Sequence, residues 1–128
     1  MKNLNVLLVE DSEDDALLLA LELKQAQMEV AWRRVDDPAS FLAAIATQAW
    51  DIILCDYNMP HFSVDEAIAL LKSRDIDTPV IVASGSIGEE RAAELMRSGV
   101  RDLLNKSALA RLGPAVEREV HEAKARRK

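Results

Sequence analysis

Leu4-Asn5-Val6-Leu7-Leu8-Val9-Glu10-Asp11-Ser12, residues 4–12, runs from a short apolar segment straight into two acids and a serine. So brief and continuous an apolar segment reads as a strand covered on both faces. The period then changes. Across residues 12–27, Ser12 and Asp15 take capping-box spacing, and Leu17, Leu18, Leu19, Leu21 and Leu23 come after them in a helical pattern. The same strand reading fits residues 52–55, 80–83 and, more weakly, 100–104. Residues 29–35 mix Val30, Trp32 and Val35 with Arg33 and Arg34, as an edge strand would.

Helical patterns separate these strands. Asp37-Pro38 supplies a cap and a first-turn proline before Phe41, Leu42 and Ile45. Ser63 with Glu66, and Ser86 with Glu89, repeat the cap signature, and Gly99 is placed to end the helix that the second pair begins. Gly113-Pro114 opens a last helix over about residues 114–127, with Val116, Val120 and Ala123 on one face. Strand and helix therefore alternate five times, which predicts a parallel sheet with helices on both faces. The first, third and fourth strands are fully apolar and belong inside; the second and fifth belong at the edges. The expected class is α/β, a (βα)5 flavodoxin-like doubly wound five-stranded sheet in the order 2-1-3-4-5. Residues 1–128 are expected to form one domain, and no repeat, low-complexity tract or linker interrupts residues 1–113.

Composition narrows the function classes. Apolar residues make up 49% and charged residues 30%, the balance of an ordinary globular chain. Its apolar runs are too short to cross a bilayer, no signal peptide is read before residue 4, and the lone Cys55 has no internal disulfide partner. A cytoplasmic location without a membrane partner is the expectation. A net charge of −6 argues against a general grip on nucleic acid, and the basic end at residues 124–128 reads as a solvated helix end.

In doubly wound folds ligands bind at the carboxyl ends of the strands. Those ends carry Glu10-Asp11, Asp56, Ser84 and Lys106, so three carboxylates, a hydroxyl and an ammonium should converge. Clustered carboxylates repel unless a cation holds them, and two or three with waters suit magnesium. The acidic loop after the first strand lacks the glycines of a flavin or dinucleotide site. A phosphoryl group bridging the metal and Lys106 is the consistent occupant, and Asp56 is the candidate nucleophile for an acyl phosphate. Ser84 can turn its hydroxyl toward the new phosphate oxygens and draw the loop after it along.

With these residues in place the sequence resembles the response-regulator receiver family of two-component signal transduction. The resemblance rests on Val9-Glu10-Asp11, Leu54-Cys55-Asp56-Tyr57-Asn58-Met59-Pro60, Val82-Ala83-Ser84-Gly85 and Asp102-Leu103-Leu104-Asn105-Lys106, in order across about residues 4–123. It implies that Glu10 and Asp11 form the acidic pocket and that Asp56 accepts the phosphoryl group. It further implies that Asn58 gives a backbone carbonyl to magnesium, and that Ser84 and Lys106 are the switch hydroxyl and lysine. The implied donor is a phosphohistidine on a histidine kinase or a histidine phosphotransfer protein. Chemistry of its own would be limited to self-phosphorylation from the donor and autodephosphorylation, with Asn58 and Ser86 placed to tune the latter.

Four positions leave the family pattern. Leu103 stands where a switching aromatic is common, Ser107 where a proline comes after the lysine, Val64 where a glycine is common, and Gly85 where alanine is frequent. They bear on how a signal is passed on rather than on the acidic chemistry. Two other functions compete. A receiver-like interaction module that is never phosphorylated commonly loses the acidic pocket, the acceptor or the lysine, and all persist here. A magnesium-dependent phosphohydrolase with an aspartyl-phosphate intermediate wants a second aspartate two residues after the nucleophile, where this chain has Asn58.

Other residues suit structural roles. Cys55 reads as a core thiol, His61 and His121 as surface residues, and Trp32 and Trp50 as packing. Leu17, Leu18 and Leu21 suffice for a core stripe on the first helix. Leu19 and Leu23 then add a row that either widens the buried face or docks the donor's helical bundle. The last helix has no evident stop. The chain is therefore read either as free-standing, acting through its fourth helix, fifth strand and fifth helix, or as the N-terminal receiver of a longer protein with a C-terminal output module, the latter slightly favoured.

Overall fold

The computed structural model describes residues 3–127; Met1, Lys2 and Lys128, expected within the domain and its basic end, lie outside them. The elements are β1 (Asn3–Val9), α1 (Glu13–Gln25), β2 (Glu29–Val35), α2 (Pro38–Thr47), β3 (Ile52–Asp56), α3 (Val64–Ser73), β4 (Val80–Ser84), α4 (Glu89–Ser98), β5 (Asp102–Asn105) and α5 (Leu112–Arg126). All strand pairs are parallel, in the order β2-β1-β3-β4-β5, as expected.

Two apolar layers hold the sheet, and the twofold alternation of strand side chains assigns residues to each. Leu7, Val9, Ile53, Cys55 and Val82 face Phe41 and Ala44 of α2, Ala67 and Leu71 of α3, and Leu95 of α4. Val6, Leu8, Ile52, Leu54, Ile81 and Leu104 face Ala16, Leu19 and Leu23 of α1 and Leu112, Val116 and Val120 of α5. Covering both faces explains why β1, β3 and β4 read as unbroken apolar runs. Each fully buried leucine or isoleucine contributes about 1.5–3 kcal/mol relative to exposure.

The caps at Ser63 and Asp37 form as the spacing predicts. Ser63 Oγ accepts from the Glu66 N–H at 3.0 Å while the Glu66 carboxylate accepts from the Ser63 N–H at 3.0 Å. Asp37 and Ser40 close the equivalent box on α2. Val64, just inside the Ser63 cap, is the buried first residue of α3, so a β-branched side chain there sits in helix and core together.

Other boundaries differ from expectation. The Ser86 and Glu89 cap does not form: Ile87 packs on the core, and α4 opens with Gly88 as its cap. Val100 is not in β5. Gly99 takes φ 121° and the Val100 N–H donates to Leu95 O at 3.1 Å, so Val100 ends α4 as the apolar partner of a glycine-terminated helix. α5 starts at Leu112 after a 3-10 turn at Leu109–Arg111, because Leu112 and Gly113 are already buried. The apolar rows of α1 are also exchanged. Ala16, Leu19, Ala20 and Leu23 face the sheet, whereas Leu17, Leu18 and Leu21 are 49%, 56% and 43% exposed. Leu19 and Leu23 are therefore core, and a docking role does not fall to them.

Candidate functional site

The carboxyl ends of β1, β3 and β4 deliver the candidate residues one by one. Glu10 continues the ladder past β1, its N–H donating to Val35 O at 2.9 Å, and its side chain is only 1% exposed. The Ser12 N–H donates to Glu10 Oε2 at 3.2 Å. Asp11 is exposed beside it. Asp56 is the last residue of β3, paired with Ala83 in register and 5% exposed. Its Oδ1 accepts the N–H of the exposed Asn58 at 3.2 Å. Ser84 ends β4, buried and opposite Asn105, and its carbonyl accepts the Lys106 N–H at 2.9 Å. The parallel register thus holds the switch candidates Ser84 and Lys106 on adjacent strand ends.

Lys106 Nζ lies 3.0 Å from Glu10 Oε1, 2.9 Å from Asp15 Oδ2 and 3.2 Å from Asp56 Oδ1. Hydrogen-bond geometry is met at Glu10 and Asp15; toward Asp56 the contact is an ion pair. Burial works against the ammonium, but the hydrogen bonds to Asp15 and Glu10 and the Asp56 charge outweigh it, so its pKa is raised. Glu10 is pushed up to about 7, chiefly by burial and also by the Asp56 charge, against the opposing pull of Lys106 and the Ser12 N–H.

Carboxylate oxygens of Glu10, Asp11 and Asp56 lie within 4.8 Å of one another. Three hard oxygen donors facing a single ammonium leave negative charge uncompensated. The donor set therefore fits a divalent cation such as magnesium.

Asp15 was not among the predicted site residues. Its backbone N–H does cap onto Ser12 Oγ at 3.1 Å, but its carboxylate turns to Lys106 rather than completing the capping box. A signal existed: side chains of a first helical turn lean back toward the helix N-terminus, where the strand-end acids lie. A second unpredicted group flanks the site. Arg91 Nε donates to Tyr57 Oη at 3.0 Å, its guanidinium pairs with Asp65, and its Cζ lies 5.6 Å from the Tyr57 ring centre. This ties α4 to the start of α3 and to the residue after Asp56.

The departures from the family pattern have local accounts. Leu103 packs half-buried against the core. Ser107 donates its N–H at 2.8 Å and its hydroxyl at 2.7 Å to Asn105 Oδ1, and no cis peptide occurs among the described residues. Gly85 has open space where a side chain would start, so nothing in its surroundings requires glycine. Cys55 is fully buried beside Asp56, and burial first, with the Asp56 charge, pushes its thiol far up. Trp50 packs in the core and donates its indole N–H to Ala44 O at 2.9 Å. Trp32, by contrast, is 41% exposed. No helix of the described residues is long and apolar enough to cross a membrane.

The model of the response regulator receiver domain matches residues 6–117. The autoinducer 2 sensor kinase/phosphatase LuxQ of Vibrio harveyi is 25% identical over 95% of this chain, which spans only 13% of that protein. Among solved structures, NtrX of Brucella abortus superposes with a TM-score of 0.84 at 27% identity, covering 98% of this chain and 28% of that one. The receiver domain of the sensor histidine kinase PA1611 of Pseudomonas aeruginosa, with a magnesium ion coordinated in its active-site cleft, has a TM-score of 0.76 at 20% identity. It covers 94% of this chain and 99% of that one, a likeness of fold.

Proposed function

The chain belongs to the response regulator receiver domain family of two-component signalling, and on that premise we propose that Asp56 takes a phosphoryl group from a phosphohistidine donor. The observation that carries the proposal is the buried Asp56 carboxylate set between an acidic oxygen cluster and the Lys106 ammonium. In the transfer, an Asp56 carboxylate oxygen forms a bond to phosphorus as the phosphorus–nitrogen bond to the donor imidazole breaks. The imidazole nitrogen keeps the electron pair. Glu10, Asp11, Asp56 and the Asn58 carbonyl would hold magnesium, which when bound supplies positive charge against the phosphoryl oxygens. Lys106 supplies the remaining charge from the β5 side. Burial of Glu10 and Asp56 limits water at the acceptor, while the open side at Asp11 and Asn58 admits the donor.

Ser84 then turns its hydroxyl toward the acyl phosphate and draws the loop before α4 with it. Leu103 offers no aromatic ring to accompany that movement; the Arg91 link from α4 to Tyr57 and Asp65 lies where the displacement would be felt. The exposed Leu17, Leu18 and Leu21 of α1 offer an apolar face to a histidine kinase or histidine phosphotransfer protein. Water attack on phosphorus returns the free carboxylate and inorganic phosphate. The output partner or C-terminal output module would read the α4, β5 and α5 face.

Incubation with magnesium and acetyl phosphate, then intact mass measurement, tests the proposal. Wild type should gain one phosphoryl group and Asp56→Asn none; no gain in folded wild type would overturn it.

A further inference from the structure

We propose that Asp15 is a positioning residue that holds Lys106 in a resting pose, its ammonium hydrogen-bonded to Asp15 and Glu10 and only ion-paired with Asp56. The inference rests on the proposed phosphoryl transfer and deepens it. An ammonium has three hydrogens to place, and here the hydrogen-bonded partners are Glu10 Oε1 at 3.0 Å and Asp15 Oδ2 at 2.9 Å. Asp56 Oδ1, at 3.2 Å, receives the charge of Lys106 without a well-aligned hydrogen bond. Glu10 is buried and fixed by the Ser12 N–H, so its hold on the lysine persists through the reaction. Asp15 differs. Its carboxylate is 42% exposed, so water can take the lysine's place there at a modest cost.

A phosphoryl group on Asp56 brings new oxygens that compete for the same lysine. Lys106 serves them best by leaving Asp15, so Asp15 sets part of the cost of reaching the phosphorylated state. Its place is dictated by the fold. Asp15 is the third residue of α1, anchored by the Ser12 cap, and its side chain leans toward the ends of β1 and β3. Asp14, one residue earlier, carries the same charge on the exposed side of the helix. It makes no ion pair among those found for the described residues.

Beryllofluoride, which mounts on a carboxylate as a phosphoryl mimic, gives an equilibrium test. Its affinity would be titrated in magnesium by amide NMR for wild type, Asp15→Asn and Asp14→Asn. Asp15→Asn keeps the backbone cap and removes the charge that holds the lysine. It should tighten binding about three- to tenfold, a gain scaled down because the carboxylate is partly exposed. Asp14→Asn should stay within about twofold of wild type, as a surface charge change would. A loss of local structure would weaken binding rather than tighten it. Unchanged or weaker binding in Asp15→Asn, or an equal gain in Asp14→Asn, overturns the positioning role while leaving phosphoryl acceptance intact. Failure of wild type to take beryllofluoride at all would instead remove the proposed function, and this inference with it.

Discussion

Replacing Glu10 by glutamine should stabilise the metal-free protein at alkaline pH and flatten its pH dependence. Glu10 is 1% exposed, and its carboxyl is pushed from 4.5 to about 7, chiefly by burial. The folded state therefore binds this proton more tightly than the unfolded chain does. A raised pKa contributes stability fully below about pH 4.5 and loses it as pH rises through about 7. That separation corresponds to about 3 kcal/mol in all, most of which falls between pH 5 and pH 8. Glutamine is neutral throughout and escapes this loss, though it gives up its ion pair with Lys106. Urea unfolding of metal-free wild type and Glu10→Gln at about pH 5 and about pH 8 would measure the difference directly. Wild type should lose roughly 2–3 kcal/mol more than the variant across that range. With saturating magnesium the wild-type trend should reverse, since the cation binds the ionised carboxylate. Equal slopes for the two metal-free proteins would show that burial does not hold the Glu10 proton, and the metal-free site would then carry its full negative charge at neutral pH.

Packing and burial set the other outcomes. Leu19→Ala should cost about 2–5 kcal/mol in a urea or thermal melt, because the side chain lies in the α1 layer of the core. Leu18→Ala, at 56% exposed, should stay within about 0.5 kcal/mol. Gly113→Ala should destabilise by about 1–3 kcal/mol in the same melts despite alanine's helix preference, since its Cβ would meet the Ala26 Cβ at 2.6 Å. Cys55 should react with a thiol reagent only as fast as the protein opens, since it is buried and its thiol strongly favours the protonated form.

The fold was legible because each central strand is apolar on both faces and ends in, or runs straight into, a polar residue. The segments that became β1, β3 and β4 could be placed inside the sheet from that character, the doubly wound order 2-1-3-4-5 satisfied the placement, and that order brings Glu10, Asp11, Asp56, Ser84 and Lys106 to one edge. Two kinds of detail were not legible. The first is rotational: α1 carries leucines nearly all round, so its pattern does not say which row faces the sheet. Only the register against β2 and α5 exposes Leu17, Leu18 and Leu21 while burying Leu19 and Leu23. The second is the destination of long polar side chains. Asp15 has the spacing of a capping partner, yet a nearby ammonium competes better for its carboxylate than a backbone N–H does. Arg91 likewise reaches Tyr57, Asp65 and Glu94, three partners from two other segments and its own helix. Val100 failed as a strand residue because the glycine-terminated end of α4 claimed it first.

If phosphoryl transfer proceeds as proposed, Asp56 and no other carboxylate of the cluster carries the phosphoryl group. Acyl phosphates react with hydroxylamine to leave a hydroxamate on the acceptor. Wild-type protein treated with acetyl phosphate and magnesium, then with hydroxylamine, and mapped as peptides would locate that residue. The expected product is a hydroxamate on Asp56, dependent on both magnesium and the phosphodonor. A hydroxamate on Glu10, Asp11 or Asp15, or none on any residue of folded protein, would contradict the assignment of Asp56 as acceptor.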